Sequence, residues 1–421
     1  MPQTAHIGDN RIEGRQTSAA DREKIDKIFL ESVASGLERS RIEDPGLSSE
    51  EWRDLMRLSV EQSLLPLVFE AVYTFLPEDL ERRYRAQTLA WISRQMRDTE
   101  AFLRMYRQLT DCGIEPLVIK GIVCRDAYML PDWRVSSDED IYVERAEYVR
   151  FHTNMLQLGF GGAEPNFHSE HEVLYVRDEL RIEGHWELFP QENGLWDKMN
   201  VLTAEIMRRA RHIIIEGTEI LTPEPTDHMI YLLLHAMKHF TLSGVGIRQI
   251  CDIVQWDRKY EIDWARIREV ITPLGGAGFT SAILDAGNRY FGMQIPEGWS
   301  PADSTDLLRD ALEGGVFGQN TEDRLHSASI TSVDGTGHPM VHNLLQSLFP
   351  SREVMEINYP WIRRSRLLLP VGWGVRLFQY ASKVGEGVSP FRSIQIGTQR
   401  RQLLREYEVF RIDDAEAKEA E

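Results

Sequence analysis

The chain has 421 residues, 42% of them hydrophobic, and a formal net charge of −18. This composition is ordinary for a protein with a buried core, and the length indicates about two to four structural units. The acidity argues against a general nucleic-acid binder, because such proteins gain affinity by neutralising phosphates, although it is compatible with a local basic surface.

The N-terminal sequence and the cysteines predict a cytoplasmic protein. Residues 1–20 are polar and predict a disordered tail without the apolar stretch of a signal peptide. No apolar run approaches the length of a membrane-spanning helix. Cys112, Cys124 and Cys251 are widely spaced, fit neither a zinc site nor a disulfide framework, and favour a reducing cytosol.

Residues 21–111 predict a helical N-terminal region. Residues 47–52 combine a serine cap with an acidic first turn, which is typical of a helix start. Apolar side chains recur at helical spacing near the beginning of the region: Ile25, Ile28, Phe29, Val33 and Leu37.

Residues 112–222 predict a mixed α/β core, because the hydrophobic period changes after Gly113 and short strand patterns alternate with helical ones. The paired strand patterns are typical of antiparallel hairpins. The predicted elements are a strand at 116–120, a helix at Gly121–Met129, a strand at 138–143, a helix at 145–158, and hairpins at 171–188 and 212–221.

Residues 223–345 predict a second helical region, with a linker rich in Gly and Ser near its end, at 314–339. Residues 346–421 form a basic amphipathic segment that ends in an acidic tail. Its stretch 361–405 carries nine basic residues among aromatic ones and one acidic residue, which is typical of a contact with a partner, a membrane surface or a nucleic acid. Pairing of these arginines with the acidic remainder of the chain is the slightly favoured interpretation.

Two aspartates at the start of a predicted strand are the strongest candidate site. Asp138 and Asp140 are two residues apart, so their side chains leave one face of the strand while Glu139 leaves the other. Two convergent carboxylates suit a Mg²⁺ ion that carries nucleotide phosphates, which favours nucleotidyl transfer. A solvated strand end with no function is the alternative.

A third carboxylate is expected from a neighbouring strand. Glu183, His185 and Glu187 alternate on one face of the predicted strand 180–188. Glu183 is the favoured third metal ligand, and Glu187 is the other candidate. Either glutamate could act instead as a general base, and His185 could support a ligand, or all three could form an ordinary polar face.

Basic residues near the acids are candidates for binding phosphate. Lys120 and Gly121 precede a predicted helix. Free backbone N–H groups at a helix start favour binding of a phosphate, and glycine lets the backbone approach it closely. The alternative is an ordinary turn with a solvated lysine. Lys238 and Arg248 are further candidates from the second helical region, where Asp252 lies one turn after Arg248 and is expected to orient it.

His235 and His239 are four residues apart on a predicted helix, which is a spacing that metal ligands use. The glutamate of the usual His-Glu-x-x-His catalytic motif is missing between them. Polar packing within the helical region is therefore the favoured interpretation for both histidines.

The segment from Ile119 to Val143 resembles the core of a poorly characterised bacterial nucleotidyltransferase family in the polymerase-beta-like superfamily. The pattern joins a strand ending in Lys-Gly, a tyrosine, an arginine, Asp-x-Asp, and a later acidic-x-His-Trp strand. The matching positions are Lys120, Gly121, Tyr128, Arg134, Asp138, Asp140, Glu183, His185 and Trp186.

The resemblance implies an α+β fold, a small mixed-sheet nucleotidyltransferase core flanked by N-terminal and C-terminal helical regions. It implies Mg²⁺ bound by Asp138, Asp140 and Glu183, and a nucleoside triphosphate, ATP before the others, held with the help of Arg134. The expected reaction moves a nucleoside monophosphate to an acceptor hydroxyl and releases pyrophosphate. A small-molecule or protein acceptor is favoured over RNA, given the acidity of the chain.

Three departures from the superfamily pattern keep a second hypothesis open. Gly121 is followed by Ile122 instead of serine, the spacing to Asp138 is longer, and Glu139 replaces an apolar residue. The alternatives are a catalytically degenerate nucleotide-binding protein and an accessory interaction protein. The latter would act in a biosynthetic or cell-envelope pathway and dock through residues 361–405.

Overall fold

A computed structural model describes most of the chain up to residue 315 and short stretches after it. The described residues are 19–168, 170–190, 194–242 and 244–315, with 349, 352, 355, 359, 361–362, 368–375, 399–400 and 402–409. The predicted tail lies outside them except for residues 19 and 20, which already belong to a helix. The predicted linker and most of the basic stretch 361–405 also lie outside the described residues.

Four helices form the N-terminal part of the structure. They are α1 (Ala19–Leu37), α2 (Ser49–Glu61), α3 (Leu65–Val72) and α4 (Glu78–Asp111). The predicted cap is present at the start of α2, where Ser48 accepts from the N–H of Glu51 and the Glu51 side chain accepts from the N–H of Ser48. The predicted apolar stripe of α1 is buried.

A four-stranded mixed sheet forms the centre of the structure, in the order β1-β2-β4-β3. The strands are β1 (Leu117–Val118), β2 (Glu139–Tyr142), β3 (Glu172–Arg177) and β4 (Leu180–His185). β2 pairs antiparallel with β1 and parallel with β4, and β3 and β4 form the predicted hairpin. The parallel register places Asp140 beside Glu183, so these two carboxylates start from neighbouring positions.

One face of this sheet is covered by α6 (Arg145–Gln157), which follows β2. Tyr148 and Phe151 of α6 are fully buried, and the Tyr148 hydroxyl donates to the Gly184 carbonyl at 2.5 Å. A Cβ atom at Gly184 would lie 3.0 Å from Tyr148, Phe151 and Tyr175. Glycine at this position therefore lets the helix approach closely, and Asp140, Glu183 and His185 are left on the other face.

A second, two-stranded sheet packs beside β1. Its strands are β5 (Ala210–Ile215) and β6 (Thr218–Pro223), the second predicted hairpin. The Thr222 hydroxyl donates to the Val118 carbonyl at 2.9 Å, which ties β6 to the short edge strand β1. Helix α7 (Gly194–Met207) precedes this hairpin and is an element that the sequence patterns do not predict.

Between residues 225 and 314 five helices follow the sheets, as the sequence predicts up to about Glu313. They are α8 (Pro225–Leu242), α9 (Ile247–Lys259), α10 (Trp264–Ile271), α11 (Ala277–Phe291) and α12 (Thr305–Gly314). Gln62 joins them to the N-terminal helices, because its amide donates to the Ala311 carbonyl at 2.9 Å and accepts from the Ile247 N–H at 3.3 Å.

The prediction of a helix over Gly121–Met129 is wrong in its length. Helix α5 is a single turn, Ile122–Arg125. Its continuation is broken because the N–H groups of Ala127 and Tyr128 bond carbonyls three residues back. This tighter turn carries the Tyr128 side chain to Asp252, where its hydroxyl donates at 2.7 Å.

The predicted fold class is confirmed. A small mixed sheet lies between N-terminal and C-terminal groups of helices, which makes an α+β structure. Within the described part of the chain, no helix is long and apolar enough to cross a membrane.

Candidate functional site

The loop before β2 is held on several sides, which fixes where the acid pair begins. The Ser136 N–H donates to the Gln95 side chain of α4 at 2.8 Å, and the Ser136 hydroxyl accepts from Arg125 at 2.6 Å. Arg248 of α9 donates to the Val135 carbonyl at 2.7 Å. Three helices therefore position the backbone that leads into Asp138.

Glu139 lies on the face of β2 opposite the acid cluster and has a structural partner there. Its carboxylate is buried, pairs with Arg125 at 2.5 Å and accepts from the Ile122 N–H at 2.7 Å. Gly121 has φ +58, and a Cβ atom there would lie 1.9 Å from Glu139 Oε2. Glycine is thus needed for this contact, and the N–H after it is already occupied by a carboxylate of the chain itself.

Asp140 is the centre of the opposite face. Its side chain is 2% exposed and lies 3.3 Å from the ammonium of Lys120 and 3.6 Å from His185 Nε2. Burial raises the pKa of Asp140, but Lys120 and His185 outweigh it and lower that pKa below the usual range. Asp140 is therefore an anion held between two cations.

Glu183 faces Asp140 from the parallel strand β4. Burial and the charges of Asp140 and Asp138 raise the pKa of Glu183 to about 8, so the carboxyl carries a proton at neutral pH when no cation is bound. Asp138 is half-buried and its charge also acts on Lys120. Asp140 and Glu183 therefore meet at this edge of the sheet, and Asp138 is near enough for its charge to act on Glu183 and Lys120. Glu187, the other candidate for the third acid, instead lies 3.7 Å from Arg145.

His185 lies between two carboxylates. Its Nδ1 is 3.0 Å from Glu172 Oε2 on β3, and its Nε2 approaches Asp140 and, at 3.9 Å, Glu183. Burial lowers the pKa of His185, but Glu172 and Asp140 outweigh it and raise that pKa to about 9. The ring is therefore an imidazolium at neutral pH that orients Asp140.

Helix α8 brings a polar stripe to the same region. His228 Nε2 lies 2.6 Å from the Ile119 carbonyl at the end of β1, which anchors the helix beside Lys120. Burial and nearby positive charges lower the pKa of His235, and Lys120 and His185 are among those charges. Lys238 is buried, and the carboxylates of Glu172, Glu183 and Asp140 only partly oppose the lowering of its pKa by burial. His239 Nε2 lies 3.0 Å from His235 Nε2, as expected for polar packing.

Arg134, which is expected to help hold the triphosphate, pairs with a carboxylate of the protein itself. Its guanidinium binds Asp252 of α9 through two hydrogen bonds of 2.7 Å, and both side chains are almost fully buried. We expected Asp252 to orient Arg248, but the main partner of Asp252 is Arg134. Arg248 donates to the Val135 carbonyl. Burial and the charge of Arg134 lower the pKa of Arg248, and the charges of Asp252 and then Asp138 partly oppose that lowering.

The predicted residues thus fall into two groups. Lys120, Asp138, Asp140 and Glu183 lie together, with Lys238 and Arg248 within electrostatic reach. Gly121 and Arg134 have their main contacts with side chains of the protein, Glu139 and Asp252.

Sequence reasoning missed other residues of this region: His171, Glu172, His228 and Tyr231. The two on α8 carried a signal, because polar side chains recur at helical spacing from His228 to Lys238 in an otherwise apolar helix. Glu172 carried a weaker one, because the hairpin pattern places β3 beside β4 without stating its register.

The comparisons with known proteins address the family of the chain. A family model described as Uncharacterised nucleotidyltransferase matches residues 48–292, which is more than half of the 421 residues. The matched segment contains every residue of the acid cluster and the basic residues around it. No curated protein and no solved structure matches the chain. The chain belongs to this family of uncharacterised nucleotidyltransferases.

Proposed function

We propose that the protein transfers a nucleoside monophosphate from a nucleoside triphosphate to an acceptor hydroxyl, with Mg²⁺ bound, and releases pyrophosphate. The observation that carries this proposal is the pairing of Asp140 with Glu183 across two parallel strands, with Asp138 at the same edge. This arrangement supports a divalent cation site beside basic side chains, which nucleotidyl transfer requires.

The residues present fit Mg²⁺. Asp140 Oδ2 is buried and accepts no hydrogen bond from the described residues, although it pairs with Lys120. Carboxylate oxygens are the ligands that Mg²⁺ prefers, and Asp138, Asp140 and Glu183 would hold it. Bound Mg²⁺ would neutralise charge on the triphosphate and on the group that leaves. It would also replace the proton of Glu183, whose pKa is raised to about 8 by burial and by the nearby carboxylates.

Basic side chains would hold the triphosphate. The Lys120 ammonium lies 3.3 Å from Asp140, so it would contact a phosphate oxygen next to the cation site. Lys238 and Arg248 are within electrostatic reach of the acids and would contact phosphates farther from them. Arg134 Nη1 is buried and has no hydrogen-bond partner among the described residues, so this atom is its route to a ligand. Gly121 would contribute by close backbone approach.

In the proposed reaction the acceptor oxygen attacks the α-phosphorus in line, and the bond to the oxygen that bridges the α- and β-phosphates breaks. The acceptor hydroxyl must lose its proton. Glu183 is the candidate general base for this proton in a complex in which Asp138 and Asp140 hold the ion and the Glu183 carboxylate does not. ATP is the donor that we favour, and a small molecule or a protein is favoured over RNA as acceptor, because the net charge is −18. The free cysteines Cys112, Cys124 and Cys251 support a cytoplasmic setting.

Calorimetric titration of each nucleoside triphosphate, with and without Mg²⁺, tests the proposal. The wild type is expected to bind one triphosphate in a Mg²⁺-dependent manner, and the double variant Asp138→Asn/Asp140→Asn is expected to lose this binding. Asp178→Asn, in the turn between β3 and β4, is a matched control that makes the same chemical change outside the acid cluster. Equal binding by the wild type and the double variant would show that the site is elsewhere.

One observation favours a second candidate, a nucleotide-binding protein without turnover. The Asp140 carboxylate is already neutralised by Lys120 and His185 of the same chain, which reduces its capacity to hold a cation. This candidate predicts tight triphosphate binding but no pyrophosphate after long incubation with varied acceptors. Release of pyrophosphate that depends on Asp138 and Asp140 would exclude it.

A further inference from the structure

We propose that His171, Glu172 and His185 bind a second kind of cation, a Zn²⁺-like transition-metal ion, at a site that shares the His185 ring with the acid cluster. The three residues are brought together by the β3–β4 hairpin, in which Glu172 is the register partner of His185 and His171 immediately precedes it. Their ligand atoms all lie within 4.8 Å of one another.

The distances fit tetrahedral coordination. Zinc binds imidazole nitrogen and carboxylate oxygen at about 2.0–2.1 Å, which in a tetrahedron places neighbouring ligand atoms about 3.3 Å apart. His171 Nε2 lies 3.4 Å from Glu172 Oε2, and His185 Nδ1 lies 3.0 Å from the same oxygen. Only small side-chain movements would therefore complete the three-ligand set.

The chemistry of the donors separates this site from the Mg²⁺ site. Two imidazoles and one carboxylate select transition metals, whereas Asp138, Asp140 and Glu183 offer oxygen alone. The His185 side chain is 3% exposed, and neither of its ring nitrogens makes a well-oriented hydrogen bond among the described residues. Each nitrogen faces a carboxylate without a well-oriented bond, and an ion at this site would displace the proton on Nδ1 that now faces Glu172.

The site is open to solvent on one side. His171 and Glu172 are 23% and 33% exposed, so an ion can enter along them. Three protein ligands leave the fourth position of a tetrahedral ion free for water, which is typical of exchangeable sites and not of closed structural ones. We therefore infer a site that fills and empties with the availability of the metal.

His185 would couple this ion to the acid cluster. A metal-ligating histidine usually donates its other ring N–H to a carboxylate, and His185 Nε2 lies 3.6 Å from Asp140 Oδ1. An ion on Nδ1 would fix the ring against Asp140 and add positive charge beside the Mg²⁺ ligands. We expect it to weaken binding of Mg²⁺ and the triphosphate. This coupling rests on the proposed function, whereas the metal site itself does not.

Titration of the nucleotide-free protein with Zn²⁺ alone tests the site, with the visible spectrum of Co²⁺ as a report on ligation. The wild type should bind one equivalent, and His171→Ala should bind at least about tenfold more weakly. The backbone carbonyl of His171, which accepts from the Trp186 N–H at 3.1 Å, is retained in that variant, so the hairpin should remain folded. His212→Ala removes a half-exposed imidazole that lies 2.9 Å from Glu115, and it is the matched control that should bind Zn²⁺ as the wild type does.

The outcomes distinguish this proposal from the proposed function. Equal Zn²⁺ affinity in His171→Ala and the wild type would overturn the site. So would Zn²⁺ binding that survives His171→Ala but disappears in Glu183→Gln, because the ion would then lie in the acid cluster. With the site established, Zn²⁺ should weaken Mg²⁺–ATP binding in the wild type and leave it unaffected in His171→Ala. Zn²⁺ binding in a protein that binds no triphosphate would uphold the site and refute the proposed function.

Discussion

The contact between Gly121 and Glu139 gives a prediction whose size follows from the structure. Gly121→Ala places a Cβ atom 1.9 Å from Glu139 Oε2, at a residue with φ +58. With ψ −116 this backbone conformation is one that glycine alone adopts readily, and an L-residue there costs about 1–3 kcal/mol. The clash moves Glu139 away from buried Arg125, and breaking a buried ion pair costs about 3–5 kcal/mol. We expect the free energy of unfolding to fall by about 4–8 kcal/mol.

Gly46→Ala is the matched control for this variant. Gly46 has φ +61, but a Cβ atom there would meet nothing within 4 Å. Its replacement should therefore cost about 1–2 kcal/mol for the backbone alone. Urea denaturation followed by tryptophan fluorescence measures both variants. Equal destabilisation of the two proteins would refute the assignment of Gly121 to the accommodation of Glu139.

The double variant Gly121→Ala/Glu139→Ala isolates the contact from the backbone strain. Glu139→Ala alone leaves Arg125 without its buried partner and should cost about 3–5 kcal/mol. In the double variant that pair is lost once, not twice, so the two changes should cost about 3–5 kcal/mol less together than the sum of the single variants. Additive costs would show that the two residues act independently.

Three further predictions concern the site and its supports. Mg²⁺ affinity, measured by calorimetry, should rise by up to about tenfold per pH unit between about pH 6 and 8. The reason is that Glu183, with a pKa of about 8, must release a proton to bind the ion. The affinity of Glu183→Gln should not change over this pH range. Asp252→Asn should lower the free energy of unfolding by about 3–5 kcal/mol, since it leaves buried Arg134 unpaired, and denaturation of Arg134→Met/Asp252→Leu should show a smaller loss. Ser48→Ala should cost about 1 kcal/mol through the cap that it forms with Glu51, with unchanged triphosphate binding by calorimetry.

Local sequence patterns predicted the strands of the core because a strand's side-chain alternation depends only on neighbouring residues. Alternation over residues 180–188 predicts a strand and places Glu183 and His185 on one face, and the structure has both on β4. The pattern is silent on the neighbour of that strand. The pairing of Asp140 with Glu183 depends on a parallel register between segments about 40 residues apart, which side-chain periodicity does not encode.

Long-range partners explain the errors in the same way. Asp252 lies one helical turn from Arg248, so spacing suggests that they interact, but the carboxylate binds Arg134, which lies 118 residues earlier in the chain. Helical spacing after Gly121 suggests a long helix, yet the chain turns after Arg125 so that Tyr128 also reaches Asp252. In both cases the buried Asp252 carboxylate binds partners from distant segments. The free energy of its hydrogen bonds outweighs the local helix preference of those segments.

The two buried ion pairs around β2 also explain why the departures from the superfamily pattern do not by themselves argue for a lost function. Glu139 stands where an apolar residue is expected, but it pairs with Arg125 on the face opposite the acid cluster. Its charge is therefore compensated away from the site, and the alternation of the strand leaves Asp140 directed towards Glu183. A substitution between two proposed metal ligands degrades the site only if it turns or moves them. Here Gly121 and Arg125 have the complementary space and charge, so the acid pair keeps its position.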